Sequence, residues 1–114
     1  MDIKEKGTTS LGLSGNVAAL LSYLGGFVTG GIFLLLEKEN KYVRFHAMQS
    51  VVVFGGLFII NLAIGLILPF GVKNLLSTLI GFLSVVLWVV LMVKGYQGED
   101  FKVPVAGDVA EKHI

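Results

Sequence analysis

The side chains best suited to chemistry lie in one polar stretch, residues 37–50. If this stretch is helical, Tyr42, His46 and Gln49 share a face, with Ser50 beside it and Arg44 nearby. Phenol, imidazole, amide and hydroxyl groups need hydrogen-bond partners wherever water is excluded. We therefore expect these five side chains to face protein and treat them as a candidate interaction surface. Two interpretations stay open: an interfacial anchor in the lipid headgroup region, or a contact surface for a partner or substrate.

Metal binding and catalysis are not expected from this sequence. His46 and His113 are the only histidines and cysteine is absent, so a zinc site lacks ligands. The serines of the apolar stretches have no neighbouring base that would activate them, and no pair of carboxylates lies among them. We predict no enzyme, no cofactor and no metal ion.

The elements that must position the polar stretch are three runs without a charged residue, at residues 16–36, 51–70 and 75–93. Each has about the 20 residues that a helix needs to cross a bilayer, and none shows a polar face. The 114 residues are 54% hydrophobic and only 15% charged, which excludes a nucleic-acid-binding protein. The sequence predicts an all-α integral membrane protein with one domain and three transmembrane helices. Residues 1–15 form an N-terminal segment and residues 95–114 a C-terminal tail.

The second helix is expected to begin well before the membrane. Asn40 is a candidate N-cap for a helix that continues from Lys41 into the second span, and its first turns would form an amphipathic juxtamembrane section. Glu37 and Glu39 are close enough in sequence to pair with Lys41 or Arg44. Pro69 marks a short turn to the third span, with Asn74 as a candidate N-cap.

Three spans place the two termini on opposite sides of a membrane. The loop after the first span and the tail together carry more Lys and Arg than the other side, so the positive-inside rule predicts an external N-terminus and a cytoplasmic C-terminus. The expected location is the cell membrane, with lipid as the first partner. The tail is expected to be either unstructured or laid along the interface, with residues 108–112 able to form one or two helical turns and its carboxylates able to pair with Lys41 or Arg44.

Small residues recur inside the apolar runs at spacings that let helices pack closely. Asn61 lies in the middle of a span, where an amide either joins two helices by a hydrogen bond or binds a solute. Packing within one chain and packing between copies in a homo-oligomer both remain open. The candidate helix-packing residues are Ser22, Gly26, Gly30, Asn61, Ser77 and Gly81.

The string Val-Arg-Phe-His-Ala-Met-Gln-Ser at residues 43–50, together with Tyr96-Gln97-Gly98 and residues 104–111, resembles the Tic-twenty-like family of small prokaryotic membrane proteins. The plant namesake of that family is a component of the chloroplast inner-envelope preprotein import complex. The resemblance implies a small multi-spanning membrane protein and suggests a role in protein translocation or membrane assembly. It carries over no catalytic residues.

Two functions are therefore expected. The first is a non-catalytic structural, assembly or protein-translocation role with other membrane proteins as partners. The alternative is a homo-oligomeric channel or passive transporter of ions or small solutes, because three helices alone cannot enclose a wide pore.

Overall fold

The computed structural model describes residues 3–114, and within that range all regular secondary structure is helical. There are five helices: α1 (Gly15–Leu24), α2 (Phe27–Leu36), α3 (Lys41–Ile67), α4 (Phe70–Gln97) and α5 (Ala106–Lys112). The all-α prediction is confirmed at this level. Two helices, α3 and α4, are long and apolar enough to cross a membrane.

The apolar run at residues 16–36 does not form one spanning helix. It forms α1 and α2, each of 10 residues, so each is only about 15 Å long, half of what a bilayer core of ~30 Å requires. The helices are separated by Gly25 and Gly26, and Gly26 has φ 63° and ψ −138°, a backbone conformation that only glycine adopts readily. The third spanning helix of the sequence prediction is therefore not found in the described residues.

The two short helices run in opposite directions and form what we call the α1–α2 hairpin. Helix α1 is antiparallel to α4, since the Asn16 amide donates to Tyr96 O (2.7 Å) and the Trp88 indole N–H donates to Tyr23 O (2.8 Å). Helix α2 is antiparallel to α3: its first residue, Phe27, packs against Phe58, with ring centroids 5.6 Å apart, and its last turn accepts a bond from Arg44 at Leu34 O.

The start of α1, the end of α2, the start of α3 and the end of α4 lie together at one end of the bundle, opposite the α3–α4 turn. We call this end, with the segments that pack on it, the polar end (residues 3–14, 37–50 and 94–112). The N-terminal segment closes onto the end of α4 through the bond from Lys4 N to Gln97 O (2.8 Å). It also reaches the start of α3, because the Asn40 amide donates to Lys6 O (2.9 Å). The N-terminal segment from residue 3 and the tail thus lie on the same side of the bundle, which differs from the predicted placement of the termini on opposite sides.

Local sequence explains where α3 and α4 begin. Asn40 caps α3 as predicted, its side-chain oxygen accepting from Val43 N (3.2 Å). The prediction for Asn74 is wrong: α4 already starts at Phe70, directly after Pro69, because proline needs no backbone donor at a helix start. The tail forms α5, which packs on α3.

Candidate functional site

The residues predicted as an interaction surface are mostly interior at the polar end. His46, Gln49 and Ser50 have no exposed surface, Tyr42 is partly buried and Arg44 is half-buried. Each side chain forms hydrogen bonds within the chain. They form the centre of what we call the polar cluster, completed by Tyr23 of α1.

The polar cluster has one consistent pattern of hydrogen bonds. His46 Nε2 lies 2.9 Å from Glu99 O, which can only accept, so Nε2 carries the proton. His46 Nδ1 then accepts from the Tyr23 hydroxyl at 2.6 Å. Gln49 Nε2 donates both to that hydroxyl and to Phe101 O, each at 2.9 Å. The cluster therefore joins α1, α3 and the tail.

Two further bonds attach the tail to α3. Gln49 Oε1 accepts from Val103 N (2.8 Å), and the Tyr42 hydroxyl donates to Glu99 O (3.2 Å) as well as to Gly95 O at the end of α4 (2.6 Å). The backbone at the start of the tail is thus bound by side chains of α3. It is neither unstructured nor laid on a membrane surface by itself.

Arg44 and Glu37 do not form the expected ion pair. Arg44 Nη1 donates to Leu34 O (3.0 Å) and Glu37 O (2.7 Å), so the guanidinium caps the carbonyl end of α2. The Glu37 carboxylate, fully buried, accepts from Ser10 Oγ (2.7 Å), Ser10 N and Asn40 N (each 2.8 Å). Sequence reasoning missed this role because the donors are backbone groups and a serine 27 residues away.

The same hydrogen bonds set the protonation of Glu37. Burial by itself raises the pKa of this carboxyl, but the bonds from the Ser10 side chain and from the backbone of Asn40, Ser10 and Glu39 outweigh it. The pKa therefore lies below its ordinary value of 4.5. In the tail, the hydrogen bond and ion pair with Glu111 raise the pKa of the exposed Lys102. That pair replaces the expected pairing of tail carboxylates with Lys41 or Arg44.

The tip of the α1–α2 hairpin is sealed by polar side chains of the neighbouring helices. The Ser50 hydroxyl donates to Gly26 O (2.8 Å), and Thr29 Oγ1 accepts from Gly25 N (3.0 Å) and donates to Ser22 O (3.1 Å). Trp88 caps the carbonyls at the end of α1. Non-helical backbone is tolerated at membrane depth only where protein satisfies it in this way. The Gly25-Gly26 pair was the available signal for the break.

The candidate packing residues divide between the two ends of the bundle. At Gly30, an added Cβ would lie 2.8 Å from Ala47 O, so this glycine permits the close approach of α2 and α3. Ser22 is buried and bonds back to Ala18 O (2.9 Å) within α1. Asn61, Ser77 and Gly81 instead line a cleft of about 240 Å³ between α3 and α4, beyond the hairpin tip.

A larger cavity of about 570 Å³ opens at the polar end. Its wall contains charges of both signs and the aromatic rings of Tyr42 and Phe45. The Lys6 ammonium lies 5.1 Å from the centre of the Tyr42 ring. No group of three His, Cys, Asp or Glu side chains within residues 3–114 is arranged to hold a metal ion. The cavity is lined by Lys6, Lys41, Tyr42, Phe45, Asp100, Lys102, Glu111 and Ile114.

Comparison with known proteins gives one family. A model described as the magnetosome magnetite crystal formation protein family matches residues 7–110. A UPF0132 membrane protein of Methanocaldococcus jannaschii is 48% identical over 107 residues, covering 94% of each chain. Another, from Archaeoglobus fulgidus, is 46% identical over 99 residues, covering 87% of this chain and 94% of its own. No solved structure matches this chain.

These matches correct the family suggested by the string at residues 43–50. The family model covers that string together with both helices of the hairpin and most of the tail, whereas the Tic-twenty-like resemblance depended on a few short motifs. The chain belongs to the MamF/MmsF family, the magnetosome magnetite crystal formation proteins, and to its UPF0132 membrane-protein relatives.

Proposed function

We propose that this chain is a non-catalytic integral membrane protein with a structural or assembly role, anchored by two spans, α3 and α4. One observation carries the proposal: the side chains of the polar cluster hold parts of the fold together. Its imidazole, amide and phenol groups hold the α1–α2 hairpin and the tail against α3 and do not surround an open reaction site. The family description names magnetite crystal formation, which we extend to this chain only as an assembly role.

The charge distribution supports an orientation with the polar end in the cytoplasm. All but one of the nine Lys and Arg residues belong to the polar end, including Lys38, and the exception is Lys73 near the α3–α4 turn. Short loops rich in Lys and Arg stay in the cytoplasm. With both chain ends at the polar end, this orientation differs from the one that the three-span reading favoured.

Because the sequence contains no cysteine, topology is testable with single introduced thiols. We expect Lys73→Cys to react with a membrane-impermeant maleimide on intact cells, and Lys4→Cys and Lys112→Cys to react only after lysis. Labelling of Lys4→Cys and Lys112→Cys from opposite sides would restore three spans and overturn the two-span arrangement.

Partners are proposed to dock at the rim of the polar-end cavity, because the buried polar cluster offers them no surface. Lys41 is exposed there. A photo-reactive residue at position 41 should give discrete protein adducts in native membranes, identified by mass spectrometry. The matched probe at Phe82, 73% exposed on the α4 surface, should give lipid adducts. Equal protein adducts at both positions, or none at position 41, would contradict a docking surface at the polar end.

A homo-oligomeric channel is the second candidate, favoured by the cleft at Asn61. The Asn61 amide is exposed and lies with Ser77 and Gly81 in the cleft between α3 and α4, beyond the hairpin tip. An amide gains a hydrogen bond in lipid only from protein or trapped water. Oxidation of Asn61→Cys should then give disulfide dimers, whereas Ile59→Cys, at similar depth on another face of α3, should not. Dimers combined with solute flux in liposomes would favour the channel; absence of both would remove it.

A further inference from the structure

The cross-section of the bundle differs sharply between its two ends. At the polar end α1 and α2 pack beside α3 and α4, so four helices lie side by side, and α5 packs against α3. Past the hairpin tip, only the last turns of α3 and the first turns of α4 continue to the turn at Leu68 and Pro69.

The hairpin tip lies close to the middle of the bilayer. Lys73 and Lys94 bound the uncharged part of α4 and are separated by about 31 Å of helix, which matches a hydrocarbon core of ~30 Å. Trp88, which caps the hairpin tip, is about 9 Å of helix below Lys94. Gly26, Phe54 and Ser84 line a common pocket, so the tip reaches roughly halfway along this interval.

The remaining surface of the far half, which we define as residues 59–83, is apolar and faces outward. Leu66 is 80% exposed and Phe82 is 73% exposed. The tail reaches only the edge of this half nearest the polar end, where Val105 and Val109 line a groove with Ile60 and Leu83. This end of the bundle is therefore narrow because only α3 and α4 extend to it.

We propose that the protein is a membrane wedge that stabilises bilayers curved outward on the side of its polar end. It rests on the proposed two-span insertion. Two additional helices, each about 10 Å across, occupy roughly 160 Å² more area in one leaflet than in the other. In a flat bilayer the two leaflets have equal areas, so they do not match the unequal cross-sections of the protein. In a bilayer that is convex on the side of the polar end, the leaflet on that side already has the larger area. The protein therefore prefers, and at high density favours, that curvature.

The rigid attachment of the hairpin is what allows a wedge to act on lipid. A loosely held hairpin would tilt or retract, and the lipid would fill its volume. Here Ser50 binds the tip, Gly30 allows backbone contact between α2 and α3, and Arg44 holds the other end of α2. When the shapes of the protein and the bilayer differ, the lipid therefore deforms and the hairpin keeps its position.

Sorting between vesicles of different size tests the proposal. The full chain, with a fluorophore on Lys112→Cys, is reconstituted into phosphatidylcholine–phosphatidylglycerol vesicles that range from small sonicated to large extruded ones. Protein density is measured on single vesicles, and orientation is read by quenching the fluorophore from outside. Molecules with the polar end outward should be at least twice as dense on the smallest vesicles. Molecules with the polar end inward should show the opposite preference.

The reversal with orientation is the decisive control, since crowding or partial unfolding would affect both orientations alike. Equal density on all vesicle sizes, with insertion verified by the labelling of Lys73→Cys, would overturn the wedge while leaving the two-span proposal in place. A Gly30→Leu variant, in which the side chain pushes α2 away from Ala47 and Ser50, should lose most of the size preference. The matched Gly81→Leu variant, with open space at that position, should retain it.

Discussion

At the polar end, Gln49 is fully buried and both ends of its amide are bonded, whereas Asn61, three turns further along α3, is exposed and lines an open cleft. The same functional group thus has opposite surroundings in one helix. The difference shows that the bundle has a specific interior only where the hairpin and tail cover α3 and α4. In the far half the two helices expose mainly apolar side chains, as expected of the proposed membrane anchor.

The largest difference between the two regions is expected when the side-chain amide of Gln49 or of Asn61 is removed. Gln49→Leu removes the partner of Phe101 O and of Val103 N and one of the two bonds of the Tyr23 hydroxyl, and each unsatisfied buried group costs about 1–3 kcal/mol. We expect a loss of about 3–5 kcal/mol in the free energy of unfolding, measured by thermal or denaturant unfolding in detergent micelles. Asn61→Leu should cost nothing in the monomer, since it removes an unpaired polar group from an apolar surface. Equal losses would mean that the far half is packed as specifically as the polar end.

Glycine to alanine substitutions compare the two halves at the backbone. Gly30→Ala places a Cβ 2.8 Å from Ala47 O and 2.9 Å from the Ser50 Cβ, so α2 must shift, with an expected cost of about 1–3 kcal/mol. Gly81→Ala meets open space and gains helix propensity, which predicts stabilisation by up to about 1 kcal/mol. Melting temperatures of the two variants in the same detergent should therefore move in opposite directions.

Acid sensitivity is expected at the polar end because of Glu37. Since its pKa in the folded protein is below 4.5, the stabilisation is complete above that value and declines as the pH falls through the folded pKa. Loosening should begin where Ser10 and Asn40 bind the carboxylate, and proteolysis of the N-terminal segment between pH 5 and about pH 3 would detect it. Glu37→Gln should weaken this attachment at neutral pH and flatten the pH dependence. An unchanged pH profile in that variant would assign the acid sensitivity to another group.

The smallest effect is expected at the surface ion pair of the tail. Both Lys102 and Glu111 are largely exposed, and solvent screening leaves an exposed pair with little effect on stability. Lys102→Ala should change the melting temperature little, and raising the salt concentration should remove even that difference. A loss comparable to that of Gln49→Leu would show that α5, and not the Gln49 bonds, holds the tail on α3.

How far the sequence predicted the structure depends on the kind of interaction. The long helix from Lys41 and its cap at Asn40 were predictable because both depend on local spacing. The inward orientation of Tyr42, His46 and Gln49 also followed from the cost of burying polar groups, but their partners did not, because Tyr23 and the carbonyls of Glu99 and Phe101 are distant in sequence.

The main error had a physical cause as well. Hydropathy measures how well residues 16–36 tolerate lipid and says nothing of whether the backbone continues straight. The reversal depends on the φ of Gly26 and on capping by Trp88, a residue more than 60 positions away. Short motifs within residues 43–50 were likewise too local to identify the family.

The break at Gly25-Gly26 also constrains biogenesis. While the chain emerges, residues 16–36 present an uncharged run that insertion machinery can thread across the bilayer, and the capping groups on Ser50 and Trp88 do not yet exist. The final arrangement is therefore decided late, once α4 has been made and its indole can close the tip. On the proposed two-span insertion, α4 therefore decides whether residues 16–36 span the membrane or fold as the α1–α2 hairpin.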